Sequence, residues 1–124
     1  MGVNFEELLG KVIIKIEKIN DEELRFYLSN GAMYKQCHMR DCCESVTIED
    51  IVGDLNDLLY TKILLSEEVT QDATDNNHES ATWTFYKLAT IKGYVTIRWY
   101  GESNGYYSMG VSFGKMNEYG GIEY

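Results

Sequence analysis

From Tyr94 to Tyr100 the chain alternates without a break: Val95, Ile97 and Trp99 fall on one set of positions, and Tyr94, Thr96, Arg98 and Tyr100 on the other. A period of two is the spacing of a β-strand, whose successive side chains point to opposite faces. The apolar set is expected in the core. The other set, tyrosines around one arginine, is expected on the opposite face.

Two further segments belong with this one. Thr82 to Thr90 and Tyr106 to Phe113 both read as strands, joined to it at Lys92-Gly93 and at Gly101-Glu102-Ser103-Asn104-Gly105, so an antiparallel meander is predicted. In the last strand Tyr107, Met109, Val111 and Phe113 form the apolar set, against Tyr106, Ser108, Gly110 and Ser112. Pairing Tyr100 with Tyr106 would set Arg98 beside Ser108. In the first strand Thr84 and Tyr86 oppose Trp83 and Phe85, and the irregular pattern leaves open which pair faces inward.

The rest of the chain mixes strands with short helices. Asn4 is suited to cap a helix through Phe5–Leu9, stopped by Gly10, and Asp54 to cap a second through Leu55, Leu58 and Leu59. Lys11–Ile19, Leu24–Ser29, Ala32–His38, Ser45–Ile51 and Lys62–Val69 read as strands. Asn30-Gly31 predicts a type I′ hairpin turn, and with eleven glycines and no proline the other turns rest on Gly and Asn as well. The expected fold is α+β: a small antiparallel sheet or meander with two short helices, one domain over residues 1–124. Residues 71–80 are expected to form a flexible loop and 117–124 a mobile tail.

Charge narrows the partners. Eleven Lys plus Arg against twenty Asp plus Glu give a net charge of -9, and such a surface repels a DNA or RNA duplex. No run approaches the roughly 20 apolar residues of a membrane span, and the start lacks the pattern of a signal peptide. Three cysteines, Cys37, Cys42 and Cys43, fit reduced thiols in a reducing compartment. With His38 they resemble zinc ligands, but adjacent Cys42 and Cys43 do not readily aim two sulfurs at one ion. A thiol dyad of a cysteine with His38 and Asp41 or Glu44 lacks any surrounding signature, and Asp50, Asp54 and Asp57 lack calcium-loop spacing. No phosphate-binding glycine loop, nucleophile elbow or His-Glu-x-x-His pair occurs. A binding protein without cofactor or metal is expected, not an enzyme.

Only three arginines exist: Arg25, Arg40 and Arg98. Arg98 has the best aromatic surroundings. A guanidinium supplies planar donors to phosphate, while a ring stacks on a base at about 1–3 kcal/mol. Arg98, Tyr100, Asn104, Tyr106, Arg40, Trp83 and Tyr86 are therefore the candidate ligand-binding residues, with Asn104 as an amide reader of a base edge. The plainer alternative is an arginine stacked on tyrosine or paired with a carboxylate such as Glu102.

Asp41-Cys42-Cys43-Glu44-Ser45-Val46, Ile48-Glu49-Asp50-Ile51-Val52-Gly53-Asp54-Leu55, Ala81-Thr82-Trp83-Thr84-Phe85-Tyr86-Lys87-Leu88-Ala89-Thr90-Ile91-Lys92-Gly93 and Ile97-Arg98-Trp99-Tyr100-Gly101-Glu102-Ser103-Asn104-Gly105-Tyr106-Tyr107-Ser108 together resemble a family of small phage and prophage proteins. The chain is similar to the first family of phage Thoeris anti-defence proteins, sponges for cyclic ADP-ribose-type immune signals that assemble as oligomers. The resemblance implies sequestration of a cyclic nucleotide without cleavage, a homo-oligomer, and residence in the cytoplasm of the infected bacterial host. It supplies no site residue. The competing expectation is an acidic anti-CRISPR or anti-restriction inhibitor that binds a bacterial defence protein.

Overall fold

The computed structural model describes residues 4–38, 44–72, 80–103 and 109–122. Their strands are β1 (Ile13–Ile19), β2 (Glu23–Leu28), β3 (Met33–Cys37), β4 (Ser45–Val52), β5 (Leu65–Asp72), β6 (Ser80–Thr90), β7 (Gly93–Ser103) and β8 (Ser112–Lys115). They form two four-stranded sheets, ordered β1-β2-β3-β8 and β4-β7-β6-β5. All strand pairings are antiparallel.

The α+β expectation is corrected by the two helical segments. Both expected caps form, Asn4 accepting from the Glu6 N–H and Asp54 from the Asn56 N–H. Each cap nevertheless opens only a four-residue 3-10 turn, Phe5–Leu8 and Leu55–Leu58. At Leu9 and Leu59 the backbone turns away from helical angles, with ψ of 131° and 145°. One turn is enough to bury Leu8 and Leu58, and four residues are too few to build an α-helical ladder. The described chain is nearly all β.

The meander is corrected as well. Each flank of β7 is already occupied: Arg98 pairs with Phe85 of β6 on one side and Asp50 of β4 on the other. The last strand therefore crosses to the first sheet, where Phe113 of β8 pairs with Gln36 of β3. The positions beside Arg98 are held by Phe85 and Asp50, and Ser108, expected there, lies outside the described residues.

The Asn30-Gly31 hairpin forms with different chemistry from that expected. Leu28 N–H donates to Ala32 O, and only Gly31 of the pair takes positive φ, at 90°. A three-residue loop with a left-handed glycine replaces the two-residue type I′ turn. The alternation along β7 holds, with Val95, Ile97 and Trp99 all fully buried.

Both sheets contribute to one core. Phe5, from the first 3-10 turn, sits between them, its ring 4.6 Å from Tyr86 and 4.9 Å from Phe113. Trp99 Nε1 donates to Gln36 Oε1 at 3.0 Å, tying β7 to β3. The end of the described chain is folded back: Asn117 Oδ1 accepts from the Tyr119 and Gly121 N–H groups, and Ile122 is buried. Among the described residues no helix is long and apolar enough to cross a membrane.

Candidate functional site

Alternation along β6 resolves the pair left open by sequence. Thr84, Tyr86 and Leu88 are buried, so Trp83, Phe85 and Lys87 lie on the outer face of the second sheet. That face also carries Arg98 and Tyr100 from β7. Cross-strand register sets Trp83 opposite Tyr100 and Phe85 opposite Arg98.

The side chains converge as their register dictates. Trp83 and Tyr100 are 4.8 Å apart with planes tilted by 54°, and Phe85 lies nearly parallel to Trp83 at 6.0 Å. The Arg98 guanidinium carbon stands 4.9 Å from the Trp83 ring centre. A cation over an indole at a partly exposed position is held by about 0.5–1 kcal/mol. Adjacent cross-strand rings add a comparable amount.

Asp50 fixes the other side of the guanidinium. Its Oδ2 accepts from Arg98 Nη1 at 3.2 Å, with the side chains 48% and 35% exposed respectively. A bulge between Ile48 and Asp50 creates this match. Ile48 remains inward and opposite Trp99, while the extra residue, Glu49, advances Asp50 into register with Arg98. The plainer alternative for Arg98, stacking and a carboxylate partner, is thus realised with Trp83 and Asp50, not with a tyrosine and Glu102. Arg98 Nε is buried and has no hydrogen-bond partner among the described residues.

Three of the seven candidates therefore meet: Arg98, Trp83 and Tyr100. Tyr86 belongs elsewhere and is corrected. It is fully buried, packs against Phe5, and donates its hydroxyl to Val111 O at 3.3 Å. Burial first, and Glu68 second, hold that hydroxyl far above the usual tyrosine range, so it stays protonated. Asn104, Tyr106 and Arg40 lie outside the described residues. Sequence reasoning passed over Asp50 as a partner of Arg98, because only the bulge aligns the two.

Residues 6–113 match a family model described as a domain of unknown function, DUF7448. The chain belongs to that family. The match takes in both 3-10 turns' buried leucines and every residue of the aromatic face described above. No curated protein and no solved structure matches the chain.

Elsewhere in this DUF7448 chain, titratable side chains serve the scaffold. His38 uses both ring nitrogens, Nδ1 against Gly110 O at 2.7 Å and Nε2 against Glu44 Oε2 at 2.9 Å. This arrangement joins the end of β3, the start of β4 and the approach to β8, and leaves neither nitrogen for a zinc ion or a thiol. Burial raises the Cys37 thiol above its ordinary range, the reverse of an activated nucleophile. Cys42, Cys43 and Asp41 lie outside the described residues.

The three aspartates considered for a hard metal are dispersed. Asp54 caps a turn, Asp50 holds Arg98, and the Asp57 carboxylate lies against Gly93, where an added Cβ would fall 2.7 Å from its Oδ2. Among the described residues no three His, Cys, Asp or Glu side chains are grouped to hold a metal ion. Of the remaining arginines, Arg25 is paired with Glu23.

Proposed function

We propose that this DUF7448 chain is a phage counter-defence protein that binds a small cyclic nucleotide on the outer face of its second sheet and sequesters it without cleavage. The observation that carries this reading is the Arg98 guanidinium poised over Trp83, with Tyr100 tilted against the same indole. A base can stack on Trp83 or Tyr100 while the guanidinium meets a phosphate, and the two together suit a ligand that has both parts. The likeness to the Thoeris anti-defence family supports a cyclic ADP-ribose isomer as the ligand. On a chain of net charge -9, Arg98 gives an anion one specific hydrogen-bonding place, though its charge is partly offset by Asp50.

The test is retention and release. Purified protein should deplete a cyclic ADP-ribose isomer from solution and return it intact, by mass spectrometry, after heat denaturation. Arg98→Ala and Trp83→Ala should abolish depletion while leaving the folded circular dichroism spectrum unchanged. Full retention by both variants would remove this face from the site. A salt-sensitive complex with a basic defence nuclease, and no small-molecule retention, would instead favour the acidic inhibitor.

A further inference from the structure

Asp50 occupies the position that a bound anion would contest. Its Oδ2 lies 3.2 Å from Arg98 Nη1, and the β4 bulge at Glu49 is what brings it there. Bulges re-aim single side chains and are enriched beside binding sites. Without this one, Glu49 would follow Ile48 into the place opposite Arg98.

The guanidinium is only partly used in this arrangement. Nη1 faces Asp50, while Nε is buried and without a partner among the described residues. Nε and Nη2 form the side-on fork with which an arginine grips an oxyanion through two parallel hydrogen bonds. Offering that fork requires the guanidinium to lift from its present position. A buried charged-group donor left without an acceptor is costly, so the present position is one that a suitable oxyanion can improve.

We infer that Asp50 is a built-in competing carboxylate, a specificity-determining residue that holds Arg98 over Trp83 and yields it only to an oxyanion stronger than a carboxylate, such as a ligand phosphate. This rests on the nucleotide reading of the same face and adds the residue that sets its threshold. Asp50 weakens every anion's binding by competing for Nη1 and by repulsion at short range. A phosphate that can engage the Nε–Nη2 fork overcomes both, whereas chloride or a simple carboxylate does not. Because Asp50 stays beside Arg98, an arriving anion meets a nearly neutral pair and gains little net Coulombic attraction, so binding to the natural protein depends weakly on salt.

Calorimetric titration of cyclic ADP-ribose into the natural protein, Asp50→Asn, Asp50→Glu, Glu49→Gln and Arg98→Ala, at low and high sodium chloride, tests this. Removing a partly exposed ion-pair competitor should tighten binding about two- to five-fold. Asp50→Asn should show that gain with a steeper salt dependence, and chloride should now compete. Asp50→Glu keeps the charge and should bind more nearly as the natural protein does. Glu49→Gln removes an equal charge at the next residue and should change affinity little.

If Asp50→Asn binds no more tightly than the natural protein while Arg98→Ala fails to bind, the competing role is overturned and the nucleotide site stands. An equal gain in Glu49→Gln would also overturn it, because the effect would then be general charge. No binding by the natural protein or any variant would overturn the nucleotide reading and this inference together. Asp50 is 48% exposed, so its variants should fold; Asp50→Ser provides the same comparison should Asp50→Asn not.

Discussion

Trp99 Nε1 donates a 3.0 Å hydrogen bond to Gln36 Oε1, between two fully buried side chains on different sheets. The bond ties the two sheets together at the residue that follows Arg98 on β7. It also satisfies the indole N–H, which in an apolar core would otherwise lose its water without replacement.

Trp99→Phe should therefore destabilise the protein by about 2–4 kcal/mol, combining a smaller ring with a Gln36 Oε1 that loses its donor. Urea denaturation followed by circular dichroism measures it. A loss below about 0.5 kcal/mol, the range of ordinary surface changes, would show that the two sheets do not depend on this contact.

Gly53 follows β4 with φ of 107°, and a Cβ there would stand 2.5 Å from the Tyr94 carbonyl oxygen. Gly31 has φ of 90° but open space around it. Both Gly→Ala changes meet backbone strain, of order 1–3 kcal/mol, and only Gly53→Ala adds a collision with main chain. The thermal midpoint should fall further for Gly53→Ala than for Gly31→Ala; equal shifts would mean that β7 gives way freely at Tyr94.

Cys37 is buried, and its thiol is held above the ordinary range by desolvation first, which outweighs the opposing pull of Lys35, with Glu23 adding a smaller push upward. With Cys42 and Cys43 changed to serine, the remaining thiol should react with Ellman's reagent far more slowly in native than in denatured protein. The stability effect has a definite sign. The unfolded chain ionises first as pH rises, so stability is full below the ordinary thiol range and declines through it toward the higher folded-state value. Cys37→Ala should lose that alkaline decline; an unchanged profile would assign the decline to other groups.

Periodicity made β7 legible down to single residues, because burial of Val95, Ile97 and Trp99 requires exposure of Arg98 and Tyr100. The caps at Asn4 and Asp54 were equally legible, since a side-chain acceptor before a turn is a local matter. Helix length was not local. Leu8 and Leu58 are buried after one turn, and the surrounding strands end each segment there.

Strand partnership was the least legible feature. Nothing in the alternation of residues 106–113 reveals that β4 already fills the second flank of β7, and the meander expectation failed on that long-range competition. The site suffered from the same blindness in one place. Trp83 lies beside Arg98 while Tyr86 lies in the core, a division the sequence pattern left open because β6 carries large aromatics on both faces, and Asp50 was not foreseen beside Arg98 because a bulge leaves no mark on the sequence pattern.

The most direct measurement is calorimetric titration of a panel of cyclic nucleotides, including the cyclic ADP-ribose isomers, into the natural protein, with Trp83→Ala and Arg98→Ala alongside. Saturable binding of at least one member by the natural protein is expected, lost in both variants although they remain folded. Absence of binding across the panel, or undiminished binding by both variants, would contradict the nucleotide reading.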